Sequence, residues 1–290
     1  MLLALGAAAA VRPALAAQVK DARGRAVAVA SLSRLVCIGG AITEIVYALG
    51  LQDHVVAVDS TSEFPPDALR TKRNIGYMRS LSPEGVLSVS PSLLLVIEGA
   101  GPPEALDVLT ASSVPLLFVD GTASRERVTG RVRFLAGVLG APAQGDALCA
   151  SIDAGFARLD QWRAAHAGGQ RVLFVLSARA GRLTVAGTGT AADAIIGLAG
   201  GVNAAASLHG YRPLDDEAVT ALAPDIVLTM DHAGPPPDPS ALGGPGLRAT
   251  PAGRHNNFIH MDGPLLLGFG PRAPAAALEL AQRLADAVKA

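Results

Sequence analysis

Asn74-Ile75-Gly76-Tyr77-Met78-Arg79-Ser80-Leu81-Ser82-Pro83-Glu84-Gly85-Val86 places an aromatic hydroxyl just ahead of a guanidinium and then opens a helix. Ser82 is a good N-cap because its hydroxyl can accept an orphan backbone N–H, and Pro83 suits the first helical position, where no N–H is needed. Glu84 falls in the first turn, where the helix dipole favours an anion. An extended approach to the cap would put Tyr77 and Arg79 on one side of the chain. The stretch recurs. Ser82, Glu84, Val86, Val89, Pro91 and Leu93 match Asp215, Glu217, Val219, Leu222, Pro224 and Ile226, each pair 133 positions apart. The same offset carries Arg79 onto Arg212 and puts Tyr211 one position from the partner of Tyr77. Cap, helix, proline and strand follow one another in many α/β chains, but helix-to-strand connections vary in length. A gapless match therefore argues for two similar halves.

Outward from this stretch, Arg34-Leu35-Val36-Cys37-Ile38 reads as a buried strand, followed by Gly39-Gly40-Ala41, Thr43 as a cap, and a helix closed by Gly50. Further strands fall at 54–59, 93–97 and 115–119, with helices over 104–112 and 124–140. The alternation predicts parallel strands with crossover helices. After Ala141-Pro142, residues 143–167 form one long helix with Leu148, Ile152, Phe156 and Leu159 on one face. At 1.5 Å per residue it spans roughly 37 Å, enough to bridge two lobes. The second half restarts with strands over 171–176 and 183–186 around the turn Ala178-Arg179-Ala180-Gly181-Arg182. A helix over 191–198, a strand over 225–230, a Pro-rich loop over 231–239 with His232, a strand over 258–262 and a helix over 274–289 follow. The fold class is α/β: two Rossmann-like lobes with parallel sheets, residues 18–142 and 169–290, joined by one long rigid helix within 143–168.

Half of the 290 residues are hydrophobic and 17% are charged, which supports buried cores and argues against disorder. The net charge of −1 gives no global field to draw in nucleic acid, so an anionic ligand must be held by local arginines. The apolar run over 2–10 and the small residues Ala14-Leu15-Ala16-Ala17 read as the end of a secretory signal, residues 1–17, whose basic start would lie upstream. No cysteine follows to carry a lipid, and no later stretch is apolar enough to span a membrane. An oxidising compartment permits a disulfide between Cys37 and Cys149, but burial as free thiols is the commoner outcome at such positions, and no Cys/His spacing marks a metal site. Gly187-Thr188-Gly189-Thr190 before a helix has the form of a phosphate cradle but lacks a Walker lysine and a Rossmann spacing. With no nucleophile elbow and no paired carboxylates at catalytic spacing, an enzyme acting on a phosphorylated substrate is the weaker reading, and the chain is expected not to be an enzyme.

Four motifs carry a resemblance: Gly76-Tyr77-Met78-Arg79 with Leu81-Ser82-Pro83-Glu84-Gly85, Thr190-Ala191-Ala192-Asp193-Ala194, Leu198-Ala199-Gly200-Gly201-Val202-Asn203, and Gly268-Phe269-Gly270-Pro271-Arg272. They resemble the periplasmic haem-binding proteins of bacterial haem-uptake ABC transporters, within the wider iron-complex and cobalamin class of binding proteins, over about residues 33–285. The resemblance implies one haem in a cleft between two lobes, little hinge motion, a periplasmic monomer, and delivery to an inner-membrane ABC permease dimer with its ATPase. A ferric siderophore or a corrinoid is the alternative cargo. Carried over by position, Tyr77 is the axial ligand and Arg79 its neighbour. Some relatives add a histidine from the turn after the first strand of the second half. Here Ala178-Arg179-Ala180 has none, so the resemblance implies neither six-coordination nor a second haem through that turn.

The chemistry is consistent with this. Tyrosinate is a hard anionic donor suited to ferric iron. A phenol titrates near ~10, so the metal, a nearby cation such as Arg79, or both must take its proton. On local sequence alone, Tyr77 reads rather as a tyrosine bonded to backbone; the resemblance reverses that order. Haem propionates want arginine forks, and Arg79, Arg179, Arg182, Arg212 and Arg272 are the candidates, each otherwise an ordinary solvated charge. Tyr211 and His232 are candidate haem contacts from the second lobe. Glu84 and Glu217, equivalent in the two halves, are candidates for docking onto the transporter.

Overall fold

The structure is a computed structural model and describes residues 17–179, 182–231, 242 and 244–287. An antiparallel hairpin, β1 (Ala17–Lys20) and β2 (Ala26–Val29), leads in. Its turn is anchored by buried Asp21, which accepts from Arg25 Nε and Nη2 at 2.9 and 2.7 Å and from the Phe118 N–H at 3.3 Å. The first lobe then runs β3 (Leu35–Ile38), α1 (Gly40–Ala48), β4 (Val55–Val58), α2 (Asp67–Thr71), β5 (Arg73–Asn74), α3 (Pro83–Leu87), β6 (Leu93–Ile97), α4 (Pro103–Ala111) and β7 (Leu116–Val119). Its strands are all parallel in the order β5-β4-β3-β6-β7. β3, β6 and β7 are buried along their whole length, as expected of a parallel sheet covered on both faces.

Helix α5 (Arg125–Val138) leads into α6 (Pro142–Ala164), which crosses between the lobes. Its 23 residues span roughly 34 Å, and it ends before the predicted Gly168-Gly169. Ile152, Phe156 and Leu159 are buried in one apolar cluster that runs from Ile45 and Leu95 of the first lobe to Phe174 and Leu280 of the second. The lobes therefore share a core across this helix.

The second lobe comprises β8 (Arg171–Arg179), β9 (Arg182–Ala186), α7 (Ala191–Leu198), β10 (Val202–Asn203), β11 (Tyr211–Leu214), α8 (Asp216–Leu222), β12 (Ile226–Met230), α9 (Pro245–Arg248), α10 (Pro251–His255), β13 (Phe258–Met261), α11 (Gly263–Leu267) and α12 (Ala273–Ala287). β8, β12 and β13 are parallel, while β9 and β11 extend the sheet as an antiparallel ribbon. The repeat holds in three dimensions. Ser82 Oγ accepts the Gly85 N–H at 3.2 Å and Asp215 Oδ1 accepts the Ala218 N–H at 3.0 Å, at equivalent positions of the two halves. β6 and β12 likewise start at the equivalent Leu93 and Ile226. Among the described residues no helix is long and apolar enough to cross a membrane.

One local expectation fails. Thr43 is not a cap but lies inside α1, buried, with its hydroxyl 2.7 Å from Ser62 Oγ. Gly39 takes the N-cap position at φ 116°, where a β-carbon would strike the Ile97 side chain. Glycine's freedom at positive φ starts the helix four residues earlier than a hydroxyl cap would.

The loop Gly268-Phe269-Gly270-Pro271-Arg272 of the second lobe is held by the first. Buried Arg131 on α5 donates to Asp120 O at 2.6 Å, Thr122 O at 3.2 Å and Phe269 O at 2.7 Å. Burial lowers its pKa to about 10, against the pull of Asp120, so it stays charged at neutral pH. Arg131→Met leaves three carbonyls without their donor and should cost on the order of 3 kcal/mol or more. A shift of the urea unfolding midpoint to lower concentration checks this; an unchanged midpoint would show that water replaces the guanidinium freely.

Candidate functional site

In a parallel sheet, ligands bind beyond the carboxyl ends of the strands. Tyr77 lies there, just after β5, on a segment fastened from both sides. The Gly76 N–H donates to Asn74 Oδ1 at 2.8 Å, and the Ser60 N–H from the loop after β4 donates to Gly76 O at 2.8 Å. The Ser80 N–H closes a turn onto Tyr77 O at 2.8 Å, and the Gly101 N–H holds Met78 O at 2.9 Å. The backbone thus bends at Met78-Arg79 instead of running extended to the Ser82 cap, and Tyr77 opens the turn in which Arg79 lies. Gly76 sits at φ +92°, a conformation that side chains rarely adopt. Tyr77 remains 46% exposed, so its side chain is accessible while its backbone is fixed.

Tyr211 opens β11 of the second lobe and is part-buried. Burial raises its pKa, Arg79 acts to lower it and Tyr77 to raise it further. Arg79 and Tyr77 are therefore near enough to Tyr211 to bear on its hydroxyl. Arg212 belongs to the other face of β11, since alternate residues of a strand point to opposite sides: Tyr211 packs on the core shared with α6, whereas Leu214, on the face of Arg212, packs on the cluster around Val219 and Val227. Arg182 is exposed at the start of β9, and Arg179 ends β8. His232 lies outside the described residues.

Arg272 meets the first lobe directly. Its backbone N–H donates to Glu44 Oε1 at 2.9 Å and its Nε to Glu44 Oε2 at 3.1 Å, while its guanidinium lies 3.7 Å from the centre of the Phe64 ring. Glu44 is buried on α1. Burial raises its pKa above the ordinary 4.5, and Arg272 partly opposes this. A carboxyl whose pKa is higher in the folded state favours folding below its unfolded value and loses that contribution as pH rises through the folded value. Glu44→Gln keeps an acceptor for Arg272 and removes the titration. The stability of the native protein relative to this variant should therefore fall as pH rises from 4.5 through the folded-state pKa, then level. Asp21 and Asp120, whose pKa values are lowered, work in the opposite sense but cancel in the difference. Paired denaturation curves across mildly acidic pH check this, and a flat difference rules it out.

Glu84 and Glu217 occupy the first turns of α3 and α8, both exposed. The Gly187–Thr190 loop is closed by the chain itself: the Gly187 N–H donates to Gly210 O at 2.8 Å and the Thr188 N–H to Leu208 O at 2.9 Å. Those donors are not free for a phosphate. Cys37 and Cys149 are buried free thiols. Among the described residues no cluster of His, Cys, Asp and Glu could hold a bare metal ion. Phe64, Glu44 and Arg131, none of them expected from the sequence, tie the second lobe to this rim.

The profile of the periplasmic binding protein family matches residues 35–265, and the chain belongs to that family. It is a binding protein, not an enzyme. Among solved structures it is similar to the periplasmic heme-binding protein RhuT from Roseiflexus sp. RS-1 in apo form, at 38% identity and TM-score 0.81 over 89% of this chain and 99% of that one. It is similar to the periplasmic heme-binding protein BhuT in complex with two hemes, at 38% identity and TM-score 0.80 over 88% and 98%. Among sequences, an uncharacterized ABC transporter substrate-binding lipoprotein, YvrC of Bacillus subtilis, is 24% identical over 83% of this chain and 76% of its own length. A vitamin B12-binding protein of Yersinia pestis is 32% identical over only 31% of each chain.

Proposed function

We propose that the protein captures haem in the cleft between its lobes, with the Tyr77 phenolate as axial ligand, and delivers it to an ABC importer at the inner membrane. The observation that carries this reading is Tyr77 itself: an exposed phenol on a backbone fastened at Gly76, Tyr77 and Met78, in the same turn as Arg79. An oxygen donor of this kind suits ferric iron, and a preset backbone avoids an ordering cost on binding. Arg79 is the cation nearest this phenol in sequence and is placed to steady it or to meet a propionate; Arg182 and Arg179 complete the candidate set for propionates, since Arg212 lies on the face of β11 opposite to Tyr211 and Arg272 is engaged by Glu44. The haem-binding names of RhuT and BhuT support the cargo over most of this chain. The B12-binding relative supports a corrinoid, but over a third of the length only. The ABC substrate-binding description of YvrC supports a permease partner, and we take the working unit to be a periplasmic monomer.

Titration with haemin, read by absorption, tests the proposal. Saturable binding with a ferric tyrosinate spectrum, not displaced by excess cyanocobalamin, is expected. Cyanocobalamin binding with no response to haemin would move the assignment to corrinoids. The breakpoint reads the stoichiometry, which we put at one haem because the turn at 178–180 has no histidine, unlike the two hemes named for BhuT.

A further inference from the structure

We propose that Phe64 is the stacking platform for the flat face of the porphyrin, with Arg272 and Glu44 fixing the ring from behind; this rests on the haem reading above. Four large apolar side chains are exposed among the described residues: Phe64 at 40%, Tyr77 at 46%, Val108 at 54% and Val202 at 46%. The two aromatic ones sit on loops leaving the carboxyl ends of the neighbouring strands β4 and β5, joined by the Ser60 N–H to Gly76 O bond of 2.8 Å. Phe64 meets the second lobe through its contact with Arg272.

The loop that carries Phe64 is built rigidly. Buried Asp59 accepts the Gly39 N–H at 2.7 Å and Ser62 Oγ at 3.2 Å through Oδ1. Through Oδ2 it accepts the Thr61 N–H at 2.9 Å and the Thr61 hydroxyl at 2.7 Å. Beyond this network the Phe64 ring has the Arg272 guanidinium 3.7 Å from its centre. Glu44 holds that guanidinium through Nε, and the loop approaches closely enough that a β-carbon on Gly270 would lie 2.9 Å from Glu44 Oε2. A cation–π pair explains the covered side of the ring. It does not explain why the rest of an apolar ring is left in water, where each Å² costs about 25 cal/mol. A planar, unsaturated ligand lying on the ring removes that exposure, and aromatic faces stack favourably in offset geometry. Because Glu44 balances the charge of Arg272, the platform recognises a macrocycle and not anions in general.

The test uses the whole protein with haemin and with gallium(III) protoporphyrin IX, a diamagnetic porphyrin of the same shape. Phe64→Ala should weaken both by roughly tenfold to a hundredfold while the haemin that still binds keeps the wild-type spectrum, and Phe64→Tyr should restore affinity. In the gallium complex the Phe64 ring protons, assigned by their loss in Phe64→Ala, should move upfield from the porphyrin ring current. A residue that only seats Arg272 would show no such shift. Wild-type protein that binds both porphyrins, with no ring-current shift at Phe64 or no loss in Phe64→Ala, overturns the platform and leaves the haem reading intact. Wild-type protein that binds neither overturns both.

Discussion

Tyr77→Ala and Tyr77→Phe should each abolish the high-spin ferric tyrosinate spectrum of the haemin complex. Affinity should fall at least about a hundredfold, since removing even an outer partner of a metal ligand typically costs about 10–100-fold. The phenylalanine variant isolates the oxygen: the ring is kept, and only the donor atom is removed. Neither change should unfold the protein, because the side chain is 46% exposed, and such surface substitutions usually shift stability by no more than ~0.5 kcal/mol. Tyr211→Phe is the internal control. Burial disfavours the phenolate of Tyr211, so its loss should leave the tyrosinate bands in place. If both Tyr77 variants keep the wild-type spectrum, Tyr77 is not the ligand, and loss of the bands in Tyr211→Phe would move the assignment to the second lobe.

What could be read in the sequence was local. Ser82 and Asp215 announce their helices because an N-cap bonds to a backbone group three residues away, and Pro83 marks the first turn. The strands at 93–97 and 226–230 are continuous apolar runs, and the long helix follows from the face formed by Ile152, Phe156 and Leu159. The bend at Met78-Arg79 was not legible: no glycine, proline, asparagine or aspartate sits at its centre, and Gly101 and Ser60 fix it from other loops. The contact of Arg272 with Glu44 spans 228 positions, and nothing local marks it. Arg131 was within reach. It lies three residues after Val128 and four before Leu135, on the buried stripe of α5, and a cation on an apolar stripe needs buried acceptors. Glu44, between Ile42 and Ile45 in the most buried stretch of α1, carried the same signal. Phe64, in a loop rich in small polar residues, gave none, because exposure of an aromatic ring at a lobe boundary is a property of the assembled fold.

If Glu84 and Glu217 dock the protein onto its transporter, reversing both, Glu84→Lys with Glu217→Lys, should leave haem affinity and folding nearly intact yet block delivery to a reconstituted transporter. The two carboxylates sit at equivalent points of the repeat, in the first turns of α3 and α8, each behind a side-chain cap and each exposed. Two matching negative points on a two-lobed protein fit two matching basic patches on a dimeric permease. The competing account is that each glutamate serves only its helix dipole, which is worth ~0.3–1 kcal/mol apiece. That account does not require Glu in both halves, since Asp or Ser meets the same need, and α8 already has Asp216 in its first turn. The two accounts diverge in what fails. Loss of the dipole interaction lowers stability slightly and leaves transport alone. Loss of a docking contact leaves stability nearly unchanged and removes uptake, and uptake by the wild-type protein should itself decline as salt screens the charges over about 10 Å at 0.1 M. Single reversals should fall between, because one lobe can still engage. Normal uptake by the double variant at low ionic strength would leave the helix dipole as the whole explanation of Glu84 and Glu217.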